Sequence, residues 1–258
     1  MEYFESAEKL AACDYLTILT TRGLLATKKI IAIPGQDPKI VNYAKAARFS
    51  FTERPIASFD DLAAVLTDLQ RWSHTLIVRG KPAPGINRHN DVRRLKPRKK
   101  SDGTIEPATL VSQPRRWLPI DMDSVPCPSG IDPIHEPDLV VEYVISLLPN
   151  EFHDVSVFWY FTGGHGFKPG IRIRLFYWLD RPVLDDEAKL WLAGPIAEGL
   201  IDAKLFHPIQ EIYVAQPTFD GTTDPLPYRY GIWRGDRDAV PVPVITKPVP
   251  LTIEPQPI

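Results

Sequence analysis

The chain has 258 residues, of which 44% are hydrophobic and 24% charged. This composition excludes collagen, a coiled coil and a wholly disordered chain, and the length suits one large domain or two small ones. The formal net charge of −2 argues against a protein that coats nucleic acid indiscriminately, and no apolar run approaches the roughly 18 residues of a membrane span.

The N-terminal third alternates helical and extended patterns. The predicted elements are a helix over Ser6–Leu16 capped by Ser6, a strand over Lys29–Ile33 closed by a Pro34-Gly35 turn, a helix that begins after Ser58 and ends near Trp72, and a strand over His74–Arg79. Residues 80–114 are polar, basic and interrupted by proline and glycine, so we predict one long loop there.

The centre of the chain has stronger patterns. We predict strands over Arg116–Asp123, Val155–Thr162 and Ile171–Leu179, a helix over Asp138–Leu148, a helix from Asp185 or Asp186 to about Glu198, and a short strand that opens at Ile201-Asp202. Helices and strands are mixed without a strict βαβ alternation, which predicts an α+β fold.

The two ends of the chain and its cysteines bear on its domain organisation and its cellular location. Residues 240–258 contain six of the 27 prolines, which predicts an extended linker after a body of residues 1–239, and we expect the chain to be one module of a longer protein. The N-terminus, MEYFESAEKL, is too acidic and polar for a secretory signal. The only cysteines, Cys13 and Cys127, form no CxxC pair. We therefore expect a cytoplasmic protein with no membrane partner.

The strand over Arg116–Asp123 ends in a pair of acids. Period-two geometry places the carboxylates of Asp121 and Asp123 on one face, with Ile120 and Met122 on the other. Two carboxylates this close repel each other unless a cation lies between them, and oxygen ligands suit Mg²⁺ or Mn²⁺. The alternative is a polar strand end at which both carboxylates are simply hydrated.

A glycine-rich turn joins the two strongest strands. Such a turn offers backbone N–H groups and a lysine to a phosphate, although glycines are equally natural in an ordinary hairpin. The candidate phosphate-binding residues are Thr162, Gly163, Gly164, His165 and Lys168, followed on one face of the next strand by Arg172 and Arg174. Two arginines on an otherwise apolar strand require either an anionic ligand or a structural salt bridge, and both readings stay open.

A third carboxylate is needed to complete a site for two metal ions. Asp202 follows Leu200-Ile201 after a predicted helix and opens the next strand, where it could meet the acid pair. A turn and a helix cap explain Asp180, Asp185 and Asp186 fully. The predicted metal ligands are therefore Asp121, Asp123 and Asp202.

The order of these motifs resembles the archaeo-eukaryotic primase superfamily, in particular the primase-polymerase domains of phage, plasmid and other mobile-element replication proteins. The matching segments are WLPIDMD, FTGGHGFKPGIRIRLFYWLDRP, GLIDAKLFHPIQEIYVAQPTFDG and DPLPYR, which span about residues 115–230. The N-terminal third fits the resemblance more loosely.

The resemblance implies a fold, a reaction and partners. The fold would be a small, mostly antiparallel sheet similar to an RNA-recognition module, forming a catalytic core over about 115–239, with an N-terminal α/β unit over about 1–114 and the active site between them. The reaction would be template-directed nucleotidyl transfer by a DNA primase or polymerase. The partners would be a single-stranded DNA template, a primer and nucleoside triphosphates, with a helicase beyond the linker.

The resemblance also implies roles for residues. Asp121, Asp123 and Asp202 would act as catalytic ligands of two Mg²⁺ or Mn²⁺ ions. The turn and the two following arginines would bind the phosphates of the nucleotide. A basic stretch would follow the backbone of the template, although such a run is more often a hydrated loop. The implied template-binding residues are Arg88, Arg93, Arg94, Lys96, Arg98, Arg115 and Arg116.

One departure from the family leaves a choice open. The superfamily usually carries a phosphate-binding histidine on the strand after the turn, and Arg174 holds that place here, while His165 lies in the turn. Either residue could contact the phosphates. Two other functions also stay open, a metal-dependent nuclease and a non-catalytic module that binds a replication origin.

Overall fold

A computed structural model describes residues 13–89, 92–94 and 96–245, and it shows a mixed α+β fold of small, mainly antiparallel sheets and few helices. The strands are β1 (Asp14–Thr20), β2 (Lys29–Ile33), β3 (Gln36–Val41), β4 (Arg48–Ile56), β5 (Thr75–Val78), β6 (Lys81–Pro82), β7 (Val92–Arg93), β8 (Arg98–Lys99), β9 (Ile105–Glu106), β10 (Leu110–Val111), β11 (Arg115–Val125), β12 (Val157–Phe161), β13 (Ile171–Val183), β14 (Thr218–Asp220) and β15 (Tyr230–Trp233). The helices are α1 (Phe59–Leu69), α2 (Pro137–Ser146), α3 (Asp185–Trp191) and α4 (Ala193–Ala197), with 3₁₀ turns at Asn150–Phe152 and Ala203–Leu205.

An antiparallel sheet with the strand order β11-β13-β12-β15 forms the centre of the fold. On one of its faces, Ile120, Met122 and Ile173 are fully buried in a hydrophobic core that includes Val140 and Val144 of α2. Successive residues of a strand point to opposite faces. The intervening residues of β11 and β13, which include the predicted acids and arginines, therefore lie on the other face.

That other face packs against the N-terminal half of the chain. Trp117, Phe158 and Phe176 share a second hydrophobic core with Leu16 of β1 and Leu62 of α1. Ser58 caps α1 by accepting a hydrogen bond from the Asp61 N–H at 3.1 Å, as predicted. Residues on both sides of position 114 thus contribute to one core, and the acid pair points towards the interface between the two halves.

A smaller sheet, with the order β14-β2-β3, pairs a strand from the early part of the chain with one from its late part. β14 runs parallel to β2, with Phe219 opposite Ile30, and the Thr218 N–H donates to the Lys28 carbonyl at 2.9 Å. This pairing holds Lys28 beside the predicted phosphate-binding turn.

Most of the predicted elements are confirmed. The strand over Lys29–Ile33 matches β2, the strand over His74–Arg79 contains β5, and the helix over Asp138–Leu148 corresponds to α2. β12 and β13 form the predicted antiparallel hairpin around the glycine-rich turn. The predicted loop over 80–114 carries five two-residue strands, β6 to β10, within its described residues.

Two predictions of local structure, a helix and a strand, are wrong. The predicted helix over Ser6–Leu16 is contradicted at positions 14–16, which belong to β1, and residues 1–12 lie outside the described residues. β1 lies between β4 and β5 and is buried on both faces, so its apolar residues do not alternate as in a half-buried strand. No strand opens at Ile201-Asp202, where Asp202 instead caps a 3₁₀ turn.

The helix predicted over residues 185–198 is divided into α3 and α4 at Leu192. Pro195 lacks the N–H that a continuous helix would donate to Trp191, which explains the interruption. Leu184 takes the N-cap position, so neither Asp185 nor Asp186 is the cap. Asp185 is buried and pairs with the buried Arg79 at 2.5 Å.

The predicted linker begins on the body of the protein. Val240 is fully buried, its carbonyl accepts the Asp180 N–H at 3.1 Å, and the Val242 N–H donates to the Asp180 carboxylate at 3.0 Å. Residues 246–258, most of the predicted linker, lie outside the described residues. Within the described part of the chain, no helix has the length and apolar character needed to cross a membrane.

Candidate active site

The predicted acids and arginines face each other across the β11–β13 ladder. Asp121 is opposite Arg174 and Asp123 is opposite Arg172. Both Nε and Nη2 of Arg174 lie 2.8 Å from Oδ1 of Asp121, and Arg172 donates to Oδ1 of Asp123. The salt bridge that the sequence left open as an alternative is therefore present for both arginines.

The two ion pairs differ in exposure. The side chains of Asp121, Arg174 and Arg172 are 16%, 10% and 13% exposed, whereas that of Asp123 is 60% exposed. Arg174 also donates to the Tyr160 hydroxyl at 2.7 Å and to the Tyr213 carbonyl at 2.8 Å. The Asp121–Arg174 pair is thus fixed by several hydrogen bonds, whereas the Asp123 carboxylate is open to solvent.

A cavity of about 350 Å³ lies over this face of the sheet, between the two halves of the chain. Its wall combines Asp121 and Asp123, part of the glycine-rich turn, and residues that the sequence did not point to. The lining residues are Thr27, Lys28, Asn42, Tyr43, Lys45, Asp121, Asp123, Tyr160, Thr162, Gly163, Arg174, Tyr213 and Ala215.

Lys28 is the clearest of the residues that the sequence analysis missed. It is half-buried, and burial lowers the pKa of its amine; Lys168, Arg172 and Arg174 lower that pKa further, while Asp123 opposes them. A half-buried ammonium among three other cations is unfavourable unless an anion joins them. Nothing in the sequence distinguishes Lys28 from the adjacent Lys29. Only the pairing of β2 with β14 places Lys28 in the cavity.

The glycines of the turn make room for these cations. A Cβ atom at Gly163 would lie 3.1 Å from Cδ and 3.2 Å from Cβ of Lys28, and one at Gly164 would lie 3.2 Å from Cδ of Arg172. Nζ of Lys28 is 3.7 Å from that same position over Gly164. The absence of side chains at positions 163 and 164 therefore allows Lys28 and Arg172 to approach the turn closely.

His165 lies under the turn rather than in the cavity. Its side chain is buried, Nε2 donates to the Pro133 carbonyl at 2.7 Å, and Nδ1 accepts the Arg172 N–H at 3.2 Å. Its ring stacks on Phe161 with centroids 4.1 Å apart. Of the two residues that could replace the family's histidine, Arg174 lines the cavity and His165 does not.

This environment predicts a pH effect on stability. Burial lowers the pKa of His165 below its ordinary value of 6.5, and protonation would turn Nδ1 from an acceptor into a donor facing the Arg172 N–H. The unfolded chain therefore binds the proton more tightly, and the free energy of unfolding should fall as the pH drops below about 6.5, by at most about 1.4 kcal/mol per pH unit.

Urea unfolding at several pH values between 5 and 7.5 checks this effect in the wild type and in His165→Asn. The wild type should lose its advantage over the variant as the pH falls. His207, whose pKa burial also lowers, is present in both proteins and cancels in the comparison. Equal pH dependence in the two proteins would contradict the prediction.

Asp202 lies next to the acid pair through its backbone. Its N–H donates to the Asp121 carbonyl at 3.1 Å, but its carboxylate accepts the Lys204 N–H at 3.0 Å. Asp202 does not line the cavity, although its charge, like that of Asp123, adds to the effect of burial in raising the pKa of Asp121, which Arg174 opposes. Among the described residues, no group of three or more histidine, cysteine or acidic side chains could hold a metal ion.

The acid pair by itself fits a divalent cation. The arginine contacts of Asp121 and Asp123 fall on Oδ1 of each carboxylate, so in the described structure both Oδ2 atoms stay available. Carboxylate oxygens suit Mg²⁺ and Mn²⁺. Asp121 and Asp123 would hold such an ion, and a second ion would require the Asp202 carboxylate to leave its hydrogen bond with Lys204.

Aromatic residues also line the cavity. The rings of Tyr43 and Tyr213 stack with centroids 3.6 Å apart, and Tyr160 donates from its hydroxyl to the Tyr213 carbonyl. Tyr160 is buried, as are the other aromatic residues of β12 and β13, which pack in the interior. These residues are Phe158, Trp159, Phe161, Phe176, Tyr177 and Trp178.

Arg115 corrects the prediction of a template-binding residue. It is fully buried, with Nη1 2.9 Å from Asp14 Oδ1 and further bonds to the carbonyls of Arg79 and Tyr15. A side chain so enclosed cannot contact a nucleic-acid strand. The adjacent Arg116 points to the other side of the strand, nearer to solvent, and donates to the Asp180 carbonyl at 2.8 Å.

The other predicted template-binding residues are dispersed over the predicted loop. Arg88 is exposed and pairs with Glu53, Arg93 and Lys96 are exposed, and Arg94 is partly buried beside Glu211 at 3.3 Å. The prediction for Arg98 concerns a side chain outside the described part of the chain. The side chains of Arg88, Arg93, Arg94 and Lys96 do not line the cavity over the acid pair.

Comparison with known proteins adds no relative to this picture. No protein-family model, curated protein or solved structure matches the chain.

Proposed function

We propose that the protein is a nucleotidyltransferase that extends a nucleic-acid strand on a single-stranded template, as the archaeo-eukaryotic primases do. The observation that carries this proposal is that acidic and basic side chains line the same cavity. Asp121 and Asp123 offer a cation site on one wall, and Lys28 and Arg174 lie around them. A nucleoside triphosphate with its divalent ion has this combination of charges.

The four-stranded antiparallel sheet supports the same proposal. Its acids lie on the face that packs towards the N-terminal half, which is where the resemblance expects a catalytic cleft. We therefore include in the proposal a primase-polymerase core over about 115–239. A bound divalent ion would activate the attacking 3′-hydroxyl and neutralise charge on the phosphates.

The exposure of the ion pairs assigns roles to the two arginines. Asp123 is exposed although Arg172 is largely buried, so the Asp123 carboxylate can turn away to a metal ion and leave the Arg172 guanidinium to a phosphate. The Asp121–Arg174 pair is buried, and separating it would leave an unpaired buried charge. In this proposal Arg172, Lys28 and Lys168 bind phosphates, while Arg174 orients Asp121.

Primer extension tests the proposal against a nuclease. A primer labelled at its 5′ end is annealed to a longer template and incubated with Mg²⁺ or Mn²⁺, with and without the four nucleotides. Growth to the end of the template supports the proposal. Shortening of the primer without nucleotides would favour a metal-dependent nuclease, and DNA binding without any change in length would favour a binding module.

Replacing Lys28 by methionine should weaken nucleotide binding selectively. Methionine keeps the apolar stem beside Gly163 but removes the charge, and a charge-assisted bond to phosphate stabilises a complex by about 1.5–3 kcal/mol. We therefore expect the KM for the nucleotide to rise roughly 10-fold or more, with a smaller change in kcat.

Lys29→Met is the matched control for this experiment. Lys29 is the next residue in the chain, but its side chain pairs with Asp220 at 2.7 Å and does not line the cavity. Steady-state primer extension at varied nucleotide concentration compares the two variants. An equal rise of KM in both, or no rise in Lys28→Met, would contradict the role of Lys28.

A further inference from the structure

A second cavity, of about 410 Å³, lies beyond the cavity over the acid pair. Its lining combines basic and apolar side chains, and most of them belong to the segment GLIDAKLFHPIQEIYVAQPTFDG, in which the resemblance assigns a role only to Asp202. Its lining residues are Arg94, Lys96, Lys189, Ala203, Lys204, Phe206, His207, Ile209 and Gln210. These residues come from the predicted loop over 80–114, from α3 and from the segment after Asp202.

The cations of this cavity are held in place by the protein. Arg94 pairs with Glu211 at 3.3 Å and donates to the Ile209 carbonyl, and Lys189 pairs with Asp186 at 3.1 Å. Burial lowers the pKa of His207, and Lys96 and Lys189 lower it further. Positive charge is therefore concentrated around the cavity although it comes from three separate segments.

The charge balance indicates the size of the anion. Arg94, Lys189 and Lys204 each lie within 4 Å of one carboxylate, the last of them 3.8 Å from Asp202. Among the described residues, Lys96 has no carboxylate partner. The cavity thus retains about one net positive charge, which balances the single charge of a phosphodiester better than the three or four charges of a triphosphate.

A short chain of contacts joins this cavity to the first one. Arg94 binds Glu211, Glu211 accepts the Tyr213 hydroxyl at 2.8 Å, and Tyr213 stacks on Tyr43 in the wall of the first cavity. Asp202, which is bonded to Asp121, is also followed directly by the lining residues Ala203 and Lys204. A strand whose end lies over the acid pair can therefore continue across the second cavity.

We propose that the second cavity binds a backbone phosphate of a single-stranded nucleic acid, with Lys96 and Lys189 as its main cationic contacts. The partly buried side chain of Ile209, above the buried ring of Phe206, would receive the adjoining sugar. The choice of a nucleic-acid strand as the ligand rests on the proposed function. The binding itself needs neither nucleotide nor metal, so it can be tested apart from catalysis.

Fluorescence anisotropy with a labelled oligothymidylate tests this proposal on the full chain, without nucleotides or divalent ions. Lys96→Ala/Lys189→Ala should weaken binding roughly 10-fold at 0.1 M salt. The dependence of log K on log salt concentration should become shallower by about 0.7, the contribution of one phosphate on a single strand.

Lys39→Ala/Arg71→Ala is the matched control, since it removes two exposed cations that line neither cavity. This variant should keep both the affinity and the salt dependence of the wild type. A second arm measures ATP binding, which the Lys96→Ala/Lys189→Ala variant should retain.

Two results would overturn the proposal. One is oligonucleotide binding by Lys96→Ala/Lys189→Ala that equals the control. The other is loss of ATP binding with oligonucleotide binding intact, which would make the cavity a site for a free nucleotide. Neither result depends on primer extension, so failure of this proposal and failure of the proposed reaction are distinguishable.

Discussion

Replacing both Asp121 and Asp123 by asparagine is expected to abolish template-directed primer extension while DNA binding persists. The amide keeps an oxygen for hydrogen bonds with Arg174 and Arg172 but is a far weaker ligand for a divalent ion. Metal stabilisation of the reacting phosphates is worth several kcal/mol, so the rate should fall at least about 10³-fold.

The variant pair Asp37→Asn/Asp68→Asn provides the control for this change. Both acids are exposed and neither lines the cavity, so the control loses the same formal charge elsewhere. Primer extension and thermal unfolding are measured on the same preparations. Loss of extension at a temperature at which both proteins are folded assigns a catalytic role to the acids.

The opposite pattern would show a structural role instead. Asp121→Asn leaves the buried Arg174 without its counter-charge, so the double variant should melt at a lower temperature than the control whichever role the acids have, although Arg174 retains its bonds to Tyr160 and Tyr213. Primer extension by the folded protein therefore decides between the two roles. If the folded double variant extended the primer at the rate of the control, the proposed function would be wrong.

Arg115→Met should destabilise the protein by about 3–5 kcal/mol, the usual effect of removing one partner of a buried ion pair. The substitution leaves Asp14 buried without its guanidinium, removes the donor to the Arg79 carbonyl and removes one of the donors to the Tyr15 carbonyl, which keeps the Trp117 indole N–H. Methionine fills the volume in part and supplies no hydrogen bond. Urea unfolding followed by circular dichroism measures the loss.

Arg116→Met is the adjacent control, because Arg116 is only partly buried and its side chain donates to the Asp180 carbonyl. Its effect should stay within about 0.5 kcal/mol, as for most surface substitutions. If Arg115→Met unfolded like the wild type and instead bound single-stranded DNA less tightly, Arg115 would have the template-binding role that the sequence predicted.

These two arginines illustrate where sequence reasoning fails. Arg115 and Arg116 are neighbours in a basic segment and have the same side chain. Their different surroundings arise because β11 has a register shift between Arg115 and Trp117 and because Asp14 of β1 reaches Arg115 from a distant part of the chain. Nothing local shows which of the two arginines is fully buried and which is only partly buried.

The strand hairpin illustrates where sequence reasoning succeeds. Alternation along β11 and β13 predicts that Asp121 and Asp123 share a face and that Arg172 and Arg174 share a face. The register then places the two pairs directly opposite each other. The sequence left open whether the arginines meet a ligand or a carboxylate, because that depends on the register of pairing and not on alternation alone.

Backbone geometry over a few residues is enough to predict the alternation of the central strands, the N-cap of α1 and the placement of Asp121 and Asp123 on one face of their strand. The tertiary structure alone decided which cations surround that pair, that His165 supports the turn from below, and that Lys28 enters the cavity. Each of these depends on contacts between residues far apart in the chain, which no local periodicity encodes.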